Sequence, residues 1–289
     1  MSIAPYTTLA VLAERYDGFL IDQFGVLRDD DHAYPGANEA LLHLKALGKA
    51  IIILSNSGRS GDYNAERLVR LGFDRAGFDR FLTSGDVAHD ILAAETAGRT
   101  DRTRCLTISS GGDRNLADRL GFETVEDAAL ADVVIISGSE AERIPLEGYR
   151  TLLEPAARRG VPCYCTNPDR HKLAKGGGVA PGAGSIALAY EDLGGPVRWF
   201  GKPYPAIYRH AQTLLKGLPA GQIICIGDSL EHDIAGAAGA GLSSCLVRTG
   251  ILADTADAGL ASIADSYGAR PDFVLEQFKL INGSEPLTP

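Results

Sequence analysis

The sequence predicts an α/β protein built on doubly wound parallel sheet, with helices on both faces. Short runs that are apolar at every position alternate with longer amphipathic stretches along the 289 residues. Strands that are apolar throughout are buried on both faces, which is typical of parallel sheets whose strands are joined by helices. The hydrophobic fraction of 45% and the charged fraction of 22% are those of an ordinary globular protein.

The individual elements follow from the same pattern. Runs of about four to six apolar residues are too short for helices, and they predict strands at residues 18–22, 50–55, 80–83, 104–109, 133–137, 162–165, 197–200, 222–226 and 243–247. Apolar residues at helical spacing predict helices at residues 37–47, 62–71, 86–97 and 205–216. Gly72 follows the second of these helices, where a glycine commonly ends a helix.

Charge and hydropathy exclude several partners. The formal net charge of −9 argues against nucleic acid or an anionic membrane as a partner. A small anionic substrate remains compatible with it, because one metal ion and one lysine can reverse the sign locally. No apolar run approaches the roughly 20 residues of a membrane helix, and residues 1–12 do not resemble a signal peptide. We therefore expect a cytoplasmic protein.

The cysteines predict neither a disulfide framework nor a zinc site. There are five, without C-x-x-C spacing, and the six histidines are scattered singly. They are Cys105, Cys163, Cys165, Cys225 and Cys245. We expect reduced cysteines in the core of a cytosolic protein.

Two predicted strands end in groups that could attack and hold a phosphate. Asp22 ends the first strand, and ligands of doubly wound sheets bind beyond the carboxyl ends of strands. Its carboxylate could attack phosphorus, although an aspartate there could also cap the next turn. Ser55 ends the second strand and could hold a phosphate oxygen, together with backbone N–H groups; the alternative is a plain turn rich in Ser, Asn and Gly. Asn56, directly after it, is a candidate substrate-binding residue.

Two later strand ends offer a positive charge and a pair of acids. Lys202 lies between Gly201 and Pro203 and could neutralise a carboxylate or a phosphate, the alternative being an exposed lysine in a turn. Asp228 and Asp233 follow the strand at 222–226, and a carboxylate pair suits a magnesium ion that keeps several waters. Asp228 and Glu231 also have the spacing of a helix capping box, which is the alternative interpretation.

The order of these four sites resembles the motifs of the haloacid dehalogenase superfamily, and in particular the NagD-like and p-nitrophenyl-phosphatase-like branch. The resemblance covers nearly the whole chain. Its most branch-specific parts are the Thr-Asn-Pro-Asp run at 166–169 and the Pro-Gly-Ala-Gly-Ser run at 181–185. It implies a Rossmann-like core at residues 1–86 and 198–289, with an inserted α/β cap at residues 87–197. Caps of this kind often contribute to dimers, so a homodimer is an open alternative.

The resemblance also implies a role for each candidate residue. Asp22 would be the nucleophile, Ser55 would orient the phosphate, and Lys202 would balance the charge of an aspartyl phosphate. Asn167 and Asp169 lie in the cap segment that faces the substrate in this branch. A bound Mg²⁺ would be held by Asp22, the backbone carbonyl of Phe24 and Asp228, with Asp233 supporting either the metal or Lys202 from close by. The predicted activity is a Mg²⁺-dependent phosphatase acting on a small phosphorylated metabolite.

One position departs from the family pattern. Phosphatases of this superfamily usually carry a second aspartate two residues after the nucleophile, where this chain has Phe24. That aspartate acts as general acid and base, which is worth about 10²–10⁴-fold in rate. Without it, we expect a preference for good leaving groups, such as aryl or acyl phosphates, and a long-lived aspartyl phosphate. His171 or Asp169 from the cap is an alternative source of the proton.

Three other functions compete with this prediction. A non-catalytic binding or regulatory protein would explain Phe24 but not the retention of the other motif residues. The superfamily's dehalogenases also carry an aromatic residue at this position, but they need no metal motif such as the one at Asp228. A dinucleotide-binding oxidoreductase would need a strand directly before the Gly-x-Gly-x-x-Ala run at 182–187 and an acid about 20 residues after it. The sequence pattern predicts the preceding strand to end near Cys165, and no acid lies near Tyr204, so we do not expect this function.

Overall fold

A computed structural model describes residues 3–98, 102–173 and 178–280. Within these residues, the strands in chain order are β1 Gly18–Asp22, β2 Ala50–Ser55, β3 Arg80–Thr83, β4 Arg104–Ile108, β5 Glu123–Thr124, β6 Val133–Ile136, β7 Cys163–Cys165, β8 His171–Leu173, β9 Val179–Pro181, β10 Val197–Trp199, β11 Ile223–Gly227, β12 Ser243–Val247 and β13 Phe273–Leu275. The α-helices are α1 Leu9–Arg15, α2 Ala37–Ala46, α3 Gly61–Arg70, α4 Ser84–Thr96, α5 Asn115–Arg119, α6 Leu146–Arg158, α7 Ala183–Asp192, α8 Pro205–Leu214, α9 Ala235–Gly239 and α10 Asp257–Tyr267. No helix among the described residues combines the length and the apolar character needed to cross a lipid bilayer.

The chain folds into two compact units. Unit 1 comprises residues 1–55, 62–82 and 208–289, and unit 2 comprises residues 56–61 and 83–207. The segment 56–61 therefore belongs to unit 2, although it directly follows β2 of unit 1. The predicted core, residues 1–86 and 198–289, and the predicted cap, residues 87–197, are functional domains, and their bounds stay a prediction.

The described part of unit 1 contains a six-stranded sheet in the order β13-β12-β11-β1-β2-β3. β1 pairs in parallel with β11 on one side and with β2 on the other. Residues 19–21 of β1 are at most 1% exposed, so this strand lies at the centre of the core. From β1 the chain continues to β2 and β3 on one side, and it later returns to β11 on the other side of β1. Doubly wound sheets bind ligands at the point where the strand order reverses in this way.

Unit 2 has a sheet of its own. In its described residues, five strands lie in the order β10-β7-β6-β4-β5, and every adjacent pair is parallel. The core of this unit includes buried residues of α6 and α7, such as Leu153 and Ile186. These two parallel sheets confirm the predicted α/β class.

Other features of the fold differ from the sequence pattern. β8 and β9 form an antiparallel pair, which apolar periodicity does not reveal because both strands have only three residues. The helix α6 has no counterpart among the predicted helices, and it contains Pro155, which lacks the N–H that a helix interior requires. Helix and strand ends shift by up to two residues, as at α8, which ends at Leu214 rather than at residue 216.

The burial of the cysteines gives a testable expectation. All five are buried and none is in a disulfide. Burial raises the pKa of four of the thiols, to about 11 at Cys105 and further at Cys163, Cys165 and Cys245. Because the thiolate is the reactive form, we expect almost no reaction of the native protein with Ellman's reagent at pH 8, and reaction of all five thiols in denaturant. Fast reaction of even one thiol in the native protein would contradict this packing.

Candidate active site

Three carboxylates meet at the carboxyl ends of two neighbouring strands of unit 1. Asp22 ends β1, and Asp228 directly follows β11, whose Ile226 pairs with Ile21 of β1. Asp233 lies in a π-helical turn at Leu230–Ile234. One carboxylate oxygen from each of the three lies within 4.8 Å of the others. The structure thus brings together the three side chains that the sequence predicts as metal ligands.

The chemistry of this cluster fits a magnesium ion. Asp228 and Asp233 are only 5% and 4% exposed, and Asp22 is half-buried. Three carboxylates at such short range repel one another strongly where water is excluded, and a divalent cation removes that repulsion. Burial raises the pKa of the nearby Tyr208 hydroxyl well above its usual range, and the negative charges of Asp233 and Asp22 add to this rise. Oxygen ligands are those that Mg²⁺ prefers.

Asp228 and Asp233 are held by backbone groups as well. The Asp233 carboxylate accepts a hydrogen bond from the Ser229 amide at 3.1 Å, and that of Asp228 accepts one from the Ile251 amide at 2.9 Å. Ser229 caps the π-helical turn, since its hydroxyl accepts from the His232 amide. Asp228 therefore does not serve as the cap that its spacing to Glu231 suggested.

Ser55 lies beside Asp22, and its hydroxyl is oriented by Gln23, the residue after Asp22. Asp22 pairs with Leu54 of β2, so Ser55 is one residue further along the adjacent strand. The Ser55 hydroxyl oxygen accepts a hydrogen bond from the Gln23 side-chain amide at 2.8 Å, and both residues are 4% exposed. A serine hydroxyl has one proton to donate, so this contact directs the proton of Ser55 away from Gln23.

Phe24 brings an aromatic ring and no acidic group to the turn after β1. The residue is 38% exposed, and the guanidinium of Arg28 lies 4.8 Å from the ring centroid. Arg28 itself is 3% exposed and donates to the backbone carbonyls of Asp29 and Asp30. Burial lowers the pKa of the Arg28 guanidinium, and the positive charge of Arg67 lowers it further.

The remaining predicted residues form a second group, within unit 2. The Asn56 side chain accepts from the Lys202 amide at 2.6 Å and donates to the Lys202 carbonyl at 3.1 Å and to the Asp169 carboxylate at 2.9 Å. The Asp169 amide in turn donates to the side chain of Asn167 at 3.0 Å. Asn56 therefore holds the backbone of Lys202, whose side chain is buried, with the residue 3% exposed.

Comparison with known proteins gives the family. Residues 19–123 match the model described as haloacid dehalogenase-like hydrolase, and residues 199–280 match a HAD-hydrolase-like model. Chronophin from Bos taurus is 31% identical over 291 residues, which cover 94% of each chain. This chain belongs to the haloacid dehalogenase-like hydrolases.

Solved structures agree with this assignment. The p-nitrophenyl phosphatase from Archaeoglobus fulgidus superposes with a TM-score of 0.71 at 29% identity, covering 91% of this chain and 97% of that one. A glycerol phosphate phosphatase from Mycobacterium tuberculosis, solved in complex with magnesium, has a TM-score of 0.66 at 27% identity over 83% of this chain and 70% of its own. The predicted family, fold and enzyme class, a phosphatase-type hydrolase, are confirmed.

Two parts of the site were missed by sequence reasoning. Gln23 was not singled out, although it directly follows the candidate nucleophile. The turn at residues 249–251 follows β12 and reaches Asp228, as the Ile251 contact demonstrates. The rule that ligands bind beyond strand ends could have found this turn, had it been applied to the strand at 243–247 as well.

Proposed function

We propose that this hydrolase is a Mg²⁺-dependent phosphatase that acts on a small phosphorylated metabolite through an aspartyl phosphate on Asp22. The observation that carries the proposal is the cluster of Asp22, Asp228 and Asp233 at the ends of β1 and β11. The family assignment supports it, since the similar solved structures include phosphatases.

The metal would be held by the three carboxylates and, as the family resemblance implies, by the backbone carbonyl of Phe24. The magnesium complex of the similar glycerol phosphate phosphatase supports this choice of ion. A bound Mg²⁺ supplies positive charge that stabilises the phosphoryl oxygens as negative charge develops on them.

Asp22 would carry the covalent step. One of its carboxylate oxygens attacks phosphorus, the new O–P bond forms, and the bond from phosphorus to the ester oxygen breaks. Water then attacks the phosphorus of the aspartyl phosphate, which releases phosphate and restores the carboxylate. Ser55 would donate a hydrogen bond from its hydroxyl to a phosphoryl oxygen, and the Gln23 contact supports that orientation. Lys202 would balance the charge of the phosphorylated aspartate.

The surroundings of the carboxylates support a substrate with an apolar leaving group. Phe24 is two residues from Asp22 and is 38% exposed, while Ile251, whose amide bonds Asp228, is 73% exposed. Neither side chain can protonate a leaving oxygen, and apolar linings favour apolar ligand groups. Aryl and acyl phosphates, whose oxygens leave without a proton, fit both properties.

Phe24 also favours a second candidate function, a phosphate-binding protein without turnover. What weighs against this candidate is that the cluster retains Asp22, whose carboxylate can attack phosphorus. The same cluster weighs against a dehalogenase, whose reaction needs no divalent metal.

The first test is phosphate release from p-nitrophenyl phosphate, acetyl phosphate, sugar phosphates and nucleotides. We expect turnover of p-nitrophenyl phosphate with Mg²⁺, a fall of at least about 100-fold in EDTA because the metal's charge is lost, and recovery when Mg²⁺ is returned. If folded, metal-loaded protein releases no phosphate from any of these substrates, the result would favour the binding protein without turnover. Equal rates with and without EDTA would contradict the metal requirement.

A further inference from the structure

The turn after β12 lies against the carboxylate cluster of unit 1. It comprises Thr249, Gly250 and Ile251, and none of the four sites read from the sequence includes it. β12 is the neighbour of β11 in the sheet, and Gly227 of β11 pairs with Leu246 of β12. The turn therefore begins at the same edge as Asp228.

Two residues of this turn fix the carboxylate of Asp228. The Ile251 amide donates to Oδ2 of Asp228 at 2.9 Å. Gly250 packs so closely that a Cβ atom added to it would lie 1.8 Å from the same oxygen. Only a residue without a side chain leaves this carboxylate where it is.

The third residue reaches the turn that follows the nucleophile. The Thr249 hydroxyl donates to the Gly25 carbonyl at 2.6 Å. Gly25 has a positive φ of 73°, and a Cβ atom on it would lie 2.0 Å from Oδ2 of Asp228 and 2.9 Å from Cα of Gly250. Both the backbone conformation and the space thus require glycine at this position.

The turn has anchors of its own. The Tyr34 hydroxyl donates to the Thr249 carbonyl at 3.1 Å. Arg248, directly before the turn, forms an ion pair with Asp257 at 3.1 Å and donates to the Thr255 carbonyl at 2.6 Å. Because these contacts fix the turn itself, the turn can hold the Asp228 carboxylate and the Gly25 carbonyl at a fixed distance from each other.

We infer that Thr249, Gly250 and Ile251 are positioning residues of the metal site. They set the Asp228 carboxylate and the Phe24–Gly25 backbone, two of the groups assigned to the metal, at a fixed distance from each other. The inference rests on the proposed function, since it assumes that Asp228 and the Phe24 carbonyl bind Mg²⁺. Groups that orient metal ligands typically contribute 10–100-fold to metal affinity.

The test is a calorimetric titration of the full chain with Mg²⁺ and with Mn²⁺, which needs no turnover. We expect Thr249→Val, which keeps the shape and removes the hydroxyl, to weaken affinity about 10-fold. Thr249→Ser, which restores the donor, should bind within about threefold of wild type. The matched control is Thr213→Val on α8, whose hydroxyl donates to the Arg209 carbonyl in the same unit. It should bind as wild type does.

The outcomes separate the inference from the proposed function. Wild-type protein that binds neither ion would overturn the metal site, and with it this role for the turn. If the wild type binds Mg²⁺ or Mn²⁺ and Thr249→Val binds it with the same affinity, the positioning role is overturned and the proposed metal site is not. Gly250→Ala should lose more affinity than Thr249→Val, and melting temperatures in EDTA will tell whether either variant has merely unfolded. A loss of affinity in Thr249→Val with an unchanged melting temperature supports the positioning role.

Discussion

Asp22→Asn is expected to lower the turnover of p-nitrophenyl phosphate by at least about 10³-fold, because an amide cannot form the phosphoenzyme. Removal of a covalent nucleophile commonly costs several orders of magnitude in kcat. Phosphate release with saturating Mg²⁺ measures the loss. Intact-mass spectra taken during turnover should show an added phosphoryl group on the wild type and none on the variant.

The same substitution should not unfold the protein. Asp22 is one of three carboxylates whose oxygens lie within 4.8 Å of one another, and an uncharged side chain relieves their repulsion when no cation is bound. We therefore expect the melting temperature of Asp22→Asn in EDTA to equal or exceed that of the wild type. Asp265→Asn on the exposed surface of α10 is the matched control, and it should keep full activity. Turnover that survives Asp22→Asn would mean that another group attacks phosphorus.

The strands that position this site could be predicted because burial leaves a plain pattern. β1, β2 and β11 are apolar over nearly their whole length, since both faces of the sheet are covered. Their ends fall within one residue of the predicted ones, and this places Asp22 and Ser55 at strand ends. The resemblance to the superfamily then relates the later acids, Asp228 and Asp233, to the same site.

The rest depends on contacts between residues far apart in the chain. A single sequence does not state that β11 lies beside β1, which is what brings Asp228 to Asp22. The hydrogen bonds of Asn56 to Lys202 join residues 146 positions apart, and that of Thr249 to Gly25 spans 224 positions. Such contacts follow from the packing of the folded chain and have no local signature.

Phe24→Asp is expected to raise kcat/KM for sugar phosphates, because it supplies the acid that protonates a poor leaving group. General acid–base catalysis is worth about 10²–10⁴-fold, but Arg28 should limit the gain. Its guanidinium lies 4.8 Å from the Phe24 ring centroid, and a positive charge so near would hold an introduced carboxyl ionised. We expect a gain of about 10-fold from Phe24→Asp, and about 10-fold more when Arg28→Met is added.

The wild type should correspondingly have a higher kcat/KM for p-nitrophenyl and acetyl phosphate than for sugar phosphates. Phe24→Asp should reduce the ratio between these kcat/KM values. Phe24→Asn is the matched control, because it removes the same ring and can accept a bond from Arg28 but has no carboxyl proton. If both variants turn over sugar phosphates equally, the side chain at position 24 does not reach the leaving oxygen. If the wild type already hydrolyses sugar phosphates as fast as aryl phosphates, another group supplies the proton, and Asp169 and His171 are the residues to replace next.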